Sequence, residues 1–301
     1  MRHLRPLRYV DEVARAGSIR RAAERLNVTA SAVNRRIADL EAELGTALFE
    51  RLPRGMRPTA AGELLLRHIR ERAADLEFVR SQIEDLRGLR RGTVRLAVSQ
   101  AVAHRFLGGA IAAFRAGAPL VRFAVTVCDH GTALALLAGY EVDLVLVVGP
   151  PRTTELLVLA TIAQPLVAVL REDHPLAARA TLRLSDLEGE RLVLPDRSLA
   201  GRRLLDAALA SRGRAADPAI EGNGFQLLWQ IIRAEGGIGV QLALGAPPPG
   251  MSEDGLVSRP LDPTEVAPAS VVLGQAAGRV LPVAAARFAS SVASALDALG
   301  R

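Results

Sequence analysis

Gly17-Ser18-Ile19-Arg20-Arg21-Ala22-Ala23-Glu24-Arg25-Leu26-Asn27-Val28-Thr29 is the stretch whose reading decides the fold. Gly17 ends a preceding helix, and Ser18 is a good N-cap for the next. Ile19, Ala22, Ala23 and Leu26 recur at helical spacing and give that helix a buried face. Asn27-Val28 makes a tight turn. Thr29 then caps a third helix, whose Ala32, Val33, Ile37, Leu40 and Leu44 face inward until Gly45 stops it. Upstream, Leu4, Leu7, Val10 and Val13-Ala14 mark a first helix over about 4–15. Two short helices joined by such a turn, with alanines where they cross closely, form a helix-turn-helix. The plainer alternative is a three-helix bundle. Against it, Arg35 and Arg36 fall on the exposed side of the third helix, beside Ser31 and Asn34. Those side-chain types reach base edges and phosphates in a major groove.

Working outward, Leu48 and Phe49 are apolar anchors, and Arg51, Arg54 and Arg57 flank a turn containing Pro53 and Gly55. A hairpin wing with three guanidinium groups suits a sugar-phosphate backbone or a minor groove. Thr59 caps a helix running to about Leu86. Ile69, Leu76 and Ile83 are spaced seven apart, with Ala73, Val79 and Leu86 between them, which makes a heptad seam. Such a stripe needs a partner helix, most simply from a second copy.

Charge supports this division. Residues 1–92 hold 19 arginines against 13 acidic residues, whereas the remainder is balanced at 19 of each. Localised positive charge is the footprint of a polyanion partner. The chain's 301 residues suit two domains, and half of them are hydrophobic, enough for a sizeable core. No run reaches the length of a membrane span, and the N-terminus carries no apolar signal segment, so a cytoplasmic protein is expected. The single cysteine, Cys128, fits a reducing compartment.

These residues resemble the LysR-type transcriptional regulators. The resemblance rests on Leu4-Arg5-Pro6-Leu7-Arg8-Tyr9, on Gly17 to Thr29, on Ile37-Ala38-Asp39-Leu40-Glu41-Ala42-Glu43-Leu44-Gly45-Thr46-Ala47-Leu48-Phe49-Glu50-Arg51 and on Pro58-Thr59-Ala60-Ala61-Gly62. It implies an N-terminal winged helix-turn-helix, a linker helix that dimerises, and a C-terminal effector domain of two α/β lobes like periplasmic solute-binding proteins. It also implies a homodimer or homotetramer on double-stranded DNA, contact with RNA polymerase, and control by a small-molecule effector. The chain departs from the family where the third helix begins. Thr29-Ala30-Ser31-Ala32 stands where Ser-Gln-Pro followed by Ala or Ser is common, and Asn34 stands where serine is common. Alanine cannot make the bidentate contact to adenine that glutamine makes, so the operator is expected to differ. The candidate DNA-binding set is Ser18, Thr29, Ala30, Ser31, Asn34, Arg35, Arg36, Arg51, Arg54 and Arg57.

The remaining sequence alternates strands and helices, as βαβ units do. Strands are expected over Thr93–Val98, Val121–Val127 and Val142–Val148, the last a near-continuous apolar run typical of a parallel strand covered on both faces. Helices are expected over about 101–116 and 132–139. Ligands in such sheets sit beyond the carboxyl ends of strands. That singles out Ser99, Gln100, Asp129, His130 and Thr132 in one lobe. Arg197, Ser198, Asn223, Gly224 and Phe225 are the matching positions in the other. Each could instead merely cap or pack its own helix. Asp129 and His130 suit an effector with an amino or hydroxyl group. The expected division is a DNA-binding domain over 1–58, a linker helix over 59–91 and an effector domain over 92–301. Within the last, lobe I covers about 92–162 and 266–301, and lobe II about 163–265.

No enzyme is expected. The histidines His3, His68, His104, His130 and His174 are scattered without metal-ligand spacing, and no nucleophile elbow or phosphate loop is present. No metal or cofactor is expected. The alternative of a different class is a stand-alone solute-binding protein, which the second half alone would fit.

Overall fold

The computed structural model describes residues 5–53, 55–87, 91–150 and 153–299, so Leu4 and Arg54 lie outside the described residues. The chain divides into two compact bodies. One reaches to Arg80 and includes Ala138–Glu141; the other comprises Ser81–Leu137 and Val142 onward.

The first body contains α1 (Arg5–Ala16), α2 (Ile19–Leu26), α3 (Ala30–Leu44), the strands β1 (Phe49–Leu52) and β2 (Gly55–Pro58), and most of α4 (Ala60–Leu86). Its core gathers Val10, Val13, Ala22, Ala23, Val33, Ile37, Leu48 and Phe49 with Leu66 and Ile69 of α4. Ala22 and Ala23 are buried where α2 crosses its neighbours, as small side chains permit. Asn27 closes α2 in the left-handed conformation, at φ 54°. Thr29 caps α3 by accepting the Ala32 N–H at 3.3 Å. Ser18 occupies the N-cap position of α2, but its hydroxyl makes no capping bond. β1 and β2 pair antiparallel, with Arg51 opposite Met56 and Glu50 opposite Arg57. Gly55, at φ 141°, lies so close to the end of α1 that a Cβ would sit 2.3 Å from the Gly17 carbonyl oxygen. The Met56 N–H donates to that same oxygen at 2.8 Å, and this pins the ribbon to the turn before α2.

Two sequence expectations need correction. Leu44 does not face inward: it is the last residue of α3, beyond the reach of the core, and is 49% exposed. Ile69 is not free for a seam, because it fills the core of the first body. The exposed apolar stripe of α4 therefore lies further on, at Val79, Ile83 and Leu86.

The second body has two lobes. A five-stranded sheet in the order β4-β3-β5-β12-β6 contains β3 (Gly92–Val98), β4 (Val121–Val127), β5 (Leu144–Val148), β6 (Leu156–Gln164) and β12 (Ala269–Ala276). Its first three strands are parallel, and β12 runs antiparallel to both its neighbours. All of β5 is buried, as expected of a central parallel strand covered on both faces. Helical segments α5 (Gln100–Val102), a π-helical turn (Ala103–Leu107) and α6 (Gly108–Gly117) follow β3; α7 (His130–Ala138) follows β4; α10 (Val283–Leu299) ends the body. Phe114, Phe123 and Phe288 meet edge to face, with centroids 4.9 to 6.0 Å apart.

The other lobe holds β7 (Leu166–Arg171), β10 (Gly239–Leu242) and β11 (Leu256–Pro260) in one antiparallel sheet. The parallel pair β8 (Val193–Pro195) and β9 (Ile220–Gly222) joins it through a bridge between Leu192 and Ile238. Helices α8 (Ala200–Ala210) and α9 (Phe225–Glu235) pack on these strands. The chain enters this lobe between β6 and β7 and leaves it between β11 and β12.

The buried pair of the five-stranded lobe provides a test. Asp143 accepts the Arg95 N–H at 2.8 Å and pairs with Arg279 at 2.6 Å, both acidic and basic side chains being almost wholly buried. Removing one partner of a buried pair strands the other charge. Asp143→Ala is therefore expected to lose about 3–5 kcal/mol in urea unfolding. A loss below about 1 kcal/mol would show that Arg279 finds solvent or another partner.

Candidate nucleic-acid interface and ligand cleft

The exposed face of α3 begins at its cap. Thr29, Ala30 and Ser31 are all exposed, and the Thr29 and Ser31 hydroxyls lie 3.1 Å apart. Ser18 and Asn34 are half-buried. Arg35 and Arg36 are exposed, with Arg36 3.9 Å from Asp39. Arg51 and Arg57 are exposed on the ribbon, and strand alternation sends them to its opposite faces. Among the described residues, Arg35, Arg51 and Arg57 have no carboxylate partner. Arg54, the third basic residue of the wing in sequence, lies outside the described residues. One contact was not foreseen: the Arg51 guanidinium donates to Asn34 Oδ1 at 2.8 Å. It ties the ribbon to the middle of α3. Nothing in the linear spacing signals it, because the two positions meet only once the ribbon folds back.

In the second body, a cleft is lined by Ser99, Gln100, Cys128, Asp129 and His130 from one lobe and by Ser198, Leu199, Arg203 and Phe225 from the other. Six of the residues singled out by sequence therefore share one cavity: Ser99, Gln100, Asp129, His130, Ser198 and Phe225. Thr132, Arg197, Asn223 and Gly224 do not line it. Thr132 instead donates to Asp129 through both its N–H and its hydroxyl, at 3.0 and 2.7 Å. Arg197 pairs with Asp206 at 3.1 Å. Gly224 is the N-cap of α9, and Asn223 precedes it, exposed.

Several cleft groups are already engaged. The Ser99 hydroxyl accepts the Val148 N–H at 3.2 Å and so fixes the end of β5. Ser198 donates to Asp196 through its N–H at 2.9 Å. The Thr132 hydroxyl and amide hold the Asp129 carboxyl below the usual carboxylate range. Gln100 Oε1 is buried and has no hydrogen-bond partner among the described residues. Leu199 begins α8 with no side-chain cap, and Phe225, packed on Trp229, closes one wall. Arg203 was missed from sequence; it lies one turn inside α8, where spacing alone gives no reason to prefer it to Arg202. The latter is buried instead, bonded to Asp206, Glu221 and the Pro195 carbonyl. Among the described residues, no cluster of His, Cys, Asp and Glu could hold a metal ion.

A basic helix-turn-helix body and a two-lobed binding body in one chain define a ligand-responsive DNA-binding regulator. Two family models match: the bacterial regulatory helix-turn-helix protein, lysR family, over residues 4–63, and the LysR substrate binding domain over residues 87–297. The RuBisCO operon transcriptional regulator of Allochromatium vinosum is 30% identical over 237 residues, covering 79% of this chain and 78% of that protein. The HTH-type transcriptional regulator CbbR of Rhodospirillum rubrum is 32% identical over 242 residues, covering 80% and 79%. A full-length OxyR variant from Pseudomonas aeruginosa has the same fold, with a TM-score of 0.73 at 19% identity over 96% of this chain and 94% of that one. The chain belongs to the LysR family of bacterial helix-turn-helix regulatory proteins. It is a transcription regulator with an effector-binding domain, not an enzyme or a stand-alone solute-binding protein. No helix among its described residues is long and apolar enough to cross a membrane.

Cys128 closes this part of the site. Burial, and then the neighbouring Asp129 charge, push its thiol up. A raised thiol is mostly protonated at neutral pH and a poor nucleophile. Alkylation by iodoacetamide at neutral pH is expected to run slower than that of a free cysteine, and to quicken in Asp129→Asn. A rate equal to that of free cysteine would contradict this environment.

Proposed function

We propose that the chain reads DNA with the N-terminal part of α3 and holds the duplex with the ribbon. The observation that carries this reading is the exposed charge, without a carboxylate partner among the described residues, of Arg35 on α3 and of Arg51 and Arg57 on the ribbon, with Arg51 tied to Asn34 of α3. Thr29, Ala30, Ser31 and Asn34 face the base edges; Arg35, Arg36, Arg51, Arg57 and, from sequence, Arg54 contact phosphates, as does Ser18 at the start of α2. Residues 1–58 form the DNA-binding domain, 59–91 the linker and 92–301 the effector domain.

The working protein is a homodimer or homotetramer. In support, Val79, Ile83 and Leu86 leave an apolar stripe on α4 that a second copy would cover. Two copies also present two reading helices to a two-fold-related operator. RNA polymerase is the further partner the family resemblance implies, and a DNA target makes the cytoplasm its compartment.

The effector lies in the cleft between the lobes. Because Asp129 serves α7, the remaining contacts are Gln100, His130 and the part of the Arg203 guanidinium not bonded to the Arg197 and Ser198 carbonyls, and the Gln100 oxygen, unpartnered among the described residues, calls for a donor. A small metabolite with a hydroxyl or amino group would pair with these groups, and the lobes must part to admit it, because the cleft as it stands holds only about 20 Å³. Its binding shifts the regulator only through different affinity for two arrangements of the lobes.

Footprinting and salt titration on the DNA beside its gene test the DNA reading. Arg57→Gln is expected to reduce the slope of log affinity against log salt by about 0.9 and to weaken all sequences alike. Ser31→Ala and Asn34→Ala are expected to change the preferred bases, by about 1–3 kcal/mol per contact. Unchanged base preference in both variants would remove α3 from the reading role. For assembly, Val79→Glu with Ile83→Glu is expected to halve the particle mass in light scattering, and an undiminished mass would point to another interface.

A further inference from the structure

A second cavity of about 270 Å³ opens in the effector-binding body and shares no lining residue with the cleft. It approaches the lower end of ordinary small-molecule sites, about 300 Å³. Three segments make its walls: the π-helical turn after α5, one face of α9, and the loop joining β10 to β11. A π-helical turn inside a longer helix is an uncommon feature that recurs at functional sites. Here it contributes Arg105 to the cavity. The loop is held close by Gly245, where a Cβ would lie 2.1 Å from the Ala101 carbonyl oxygen. The cavity is thus built by close packing around it.

Its charges are balanced in an informative way. Arg105 pairs with Glu253 across the cavity. The Arg233 guanidinium donates to the Asp254 carbonyl at 3.0 Å and lies 3.4 Å from its carboxylate. Both carboxylates are more than half exposed, so these pairs open at little cost. A simple anion engages only the guanidiniums, and a simple cation only the carboxylates. A zwitterion re-pairs both signs at once. The apolar part of the lining is the buried Trp229, 5.5 Å from Phe225 between ring centroids, and the buried Leu256.

We propose that this cavity binds a free α-amino acid with an apolar side chain. The ligand's ammonium meets Glu253 and Asp254, its carboxylate meets Arg105 and Arg233, and its side chain lies on Trp229 and Leu256. Arg105 follows a strand of one lobe and Arg233 belongs to the other, so the ligand bridges the lobes from outside the cleft. Occupancy then biases their separation and couples, reciprocally, to whatever the cleft holds.

Calorimetry on the full-length protein with L-leucine and L-phenylalanine tests this directly. One site per chain is expected. N-acetyl-L-leucine, which lacks the ammonium, and L-leucinamide, which lacks the carboxylate, should each bind at least about ten-fold more weakly. Arg105→Gln and Glu253→Gln, both at exposed positions, should each weaken binding by about ten-fold or more, while Gln100→Leu in the cleft should leave it within about two-fold. The proposal fails if neither amino acid binds more tightly than about 10 mM. It fails equally if the N-acetyl compound binds as well as leucine, or if Gln100→Leu abolishes binding that Arg105→Gln preserves. The last outcome would move the ligand into the cleft and leave the cleft reading intact.

Discussion

The DNA-reading body depends on how Leu48 and Phe49 are held. Both side chains are buried, so their backbone donors and acceptors must find partners inside the fold. Glu41 of α3 supplies one oxygen to both N–H groups, at 2.8 and 3.2 Å. From the other side, the Thr59 N–H donates to the Leu48 carbonyl at 3.0 Å and its hydroxyl to the Ala47 carbonyl at 2.7 Å. That same hydroxyl oxygen accepts the Gly62 N–H and so starts α4. α3, the ribbon and α4 are therefore joined in one hydrogen-bonded knot. The spacing between the α3 surface and Arg51 follows from it, and the Asn34–Arg51 bond closes the arrangement.

The effector-binding body uses the same device at its strand ends. Ser99 takes the Val148 N–H and Asp143 takes the Arg95 N–H, each fixing one parallel strand against its neighbour. Loops that leave the carboxyl ends of β3 and β4 are thereby aimed into the cleft, where such sheets hold ligands. The opposite wall is the start of α8, whose first turn has no side-chain cap and whose Arg203 bonds back to the Arg197 and Ser198 carbonyls. The guanidinium both closes that turn and lines the cavity.

What the sequence disclosed and what it withheld follow one physical division. Local signals were legible because they act within a few residues. Thr29 as a cap, Asn27-Val28 as a tight turn and the apolar period of α2 each depend on neighbours in the chain. Topology brought Ser99, Gln100, Asp129 and His130 to one cavity, but Asn223 and Gly224, also at a strand end, do not line it. Long-range outcomes were not legible. Whether Ile69 served a seam or a core depended on how far α4 is covered by the helices before it. Leu44 fits the same helical period as Ile37, yet the body ends before reaching it. Arg202 and Arg203 are adjacent in sequence, and only the packing of α8 decides which is buried and which lines the cleft.

The distribution of ion pairs gives the basic first third its meaning. Beyond residue 92, arginines are largely committed: Arg171 to Asp173, Arg179 to Asp186, Arg191 to Glu235, Arg214 to Glu188, Arg279 to Asp143. Their positive charge is cancelled within a few ångströms and projects little field. On the reading body several acidic residues are likewise taken, Asp11 by Arg15 and Glu12 by Arg25, on the side formed by α1 and α2. Among the described residues, those left without a carboxylate include Arg35, Arg51 and Arg57. A net charge counted from sequence thus becomes a directed one only in the fold, because pairing cancels much of it away from the face that would meet a polyanion.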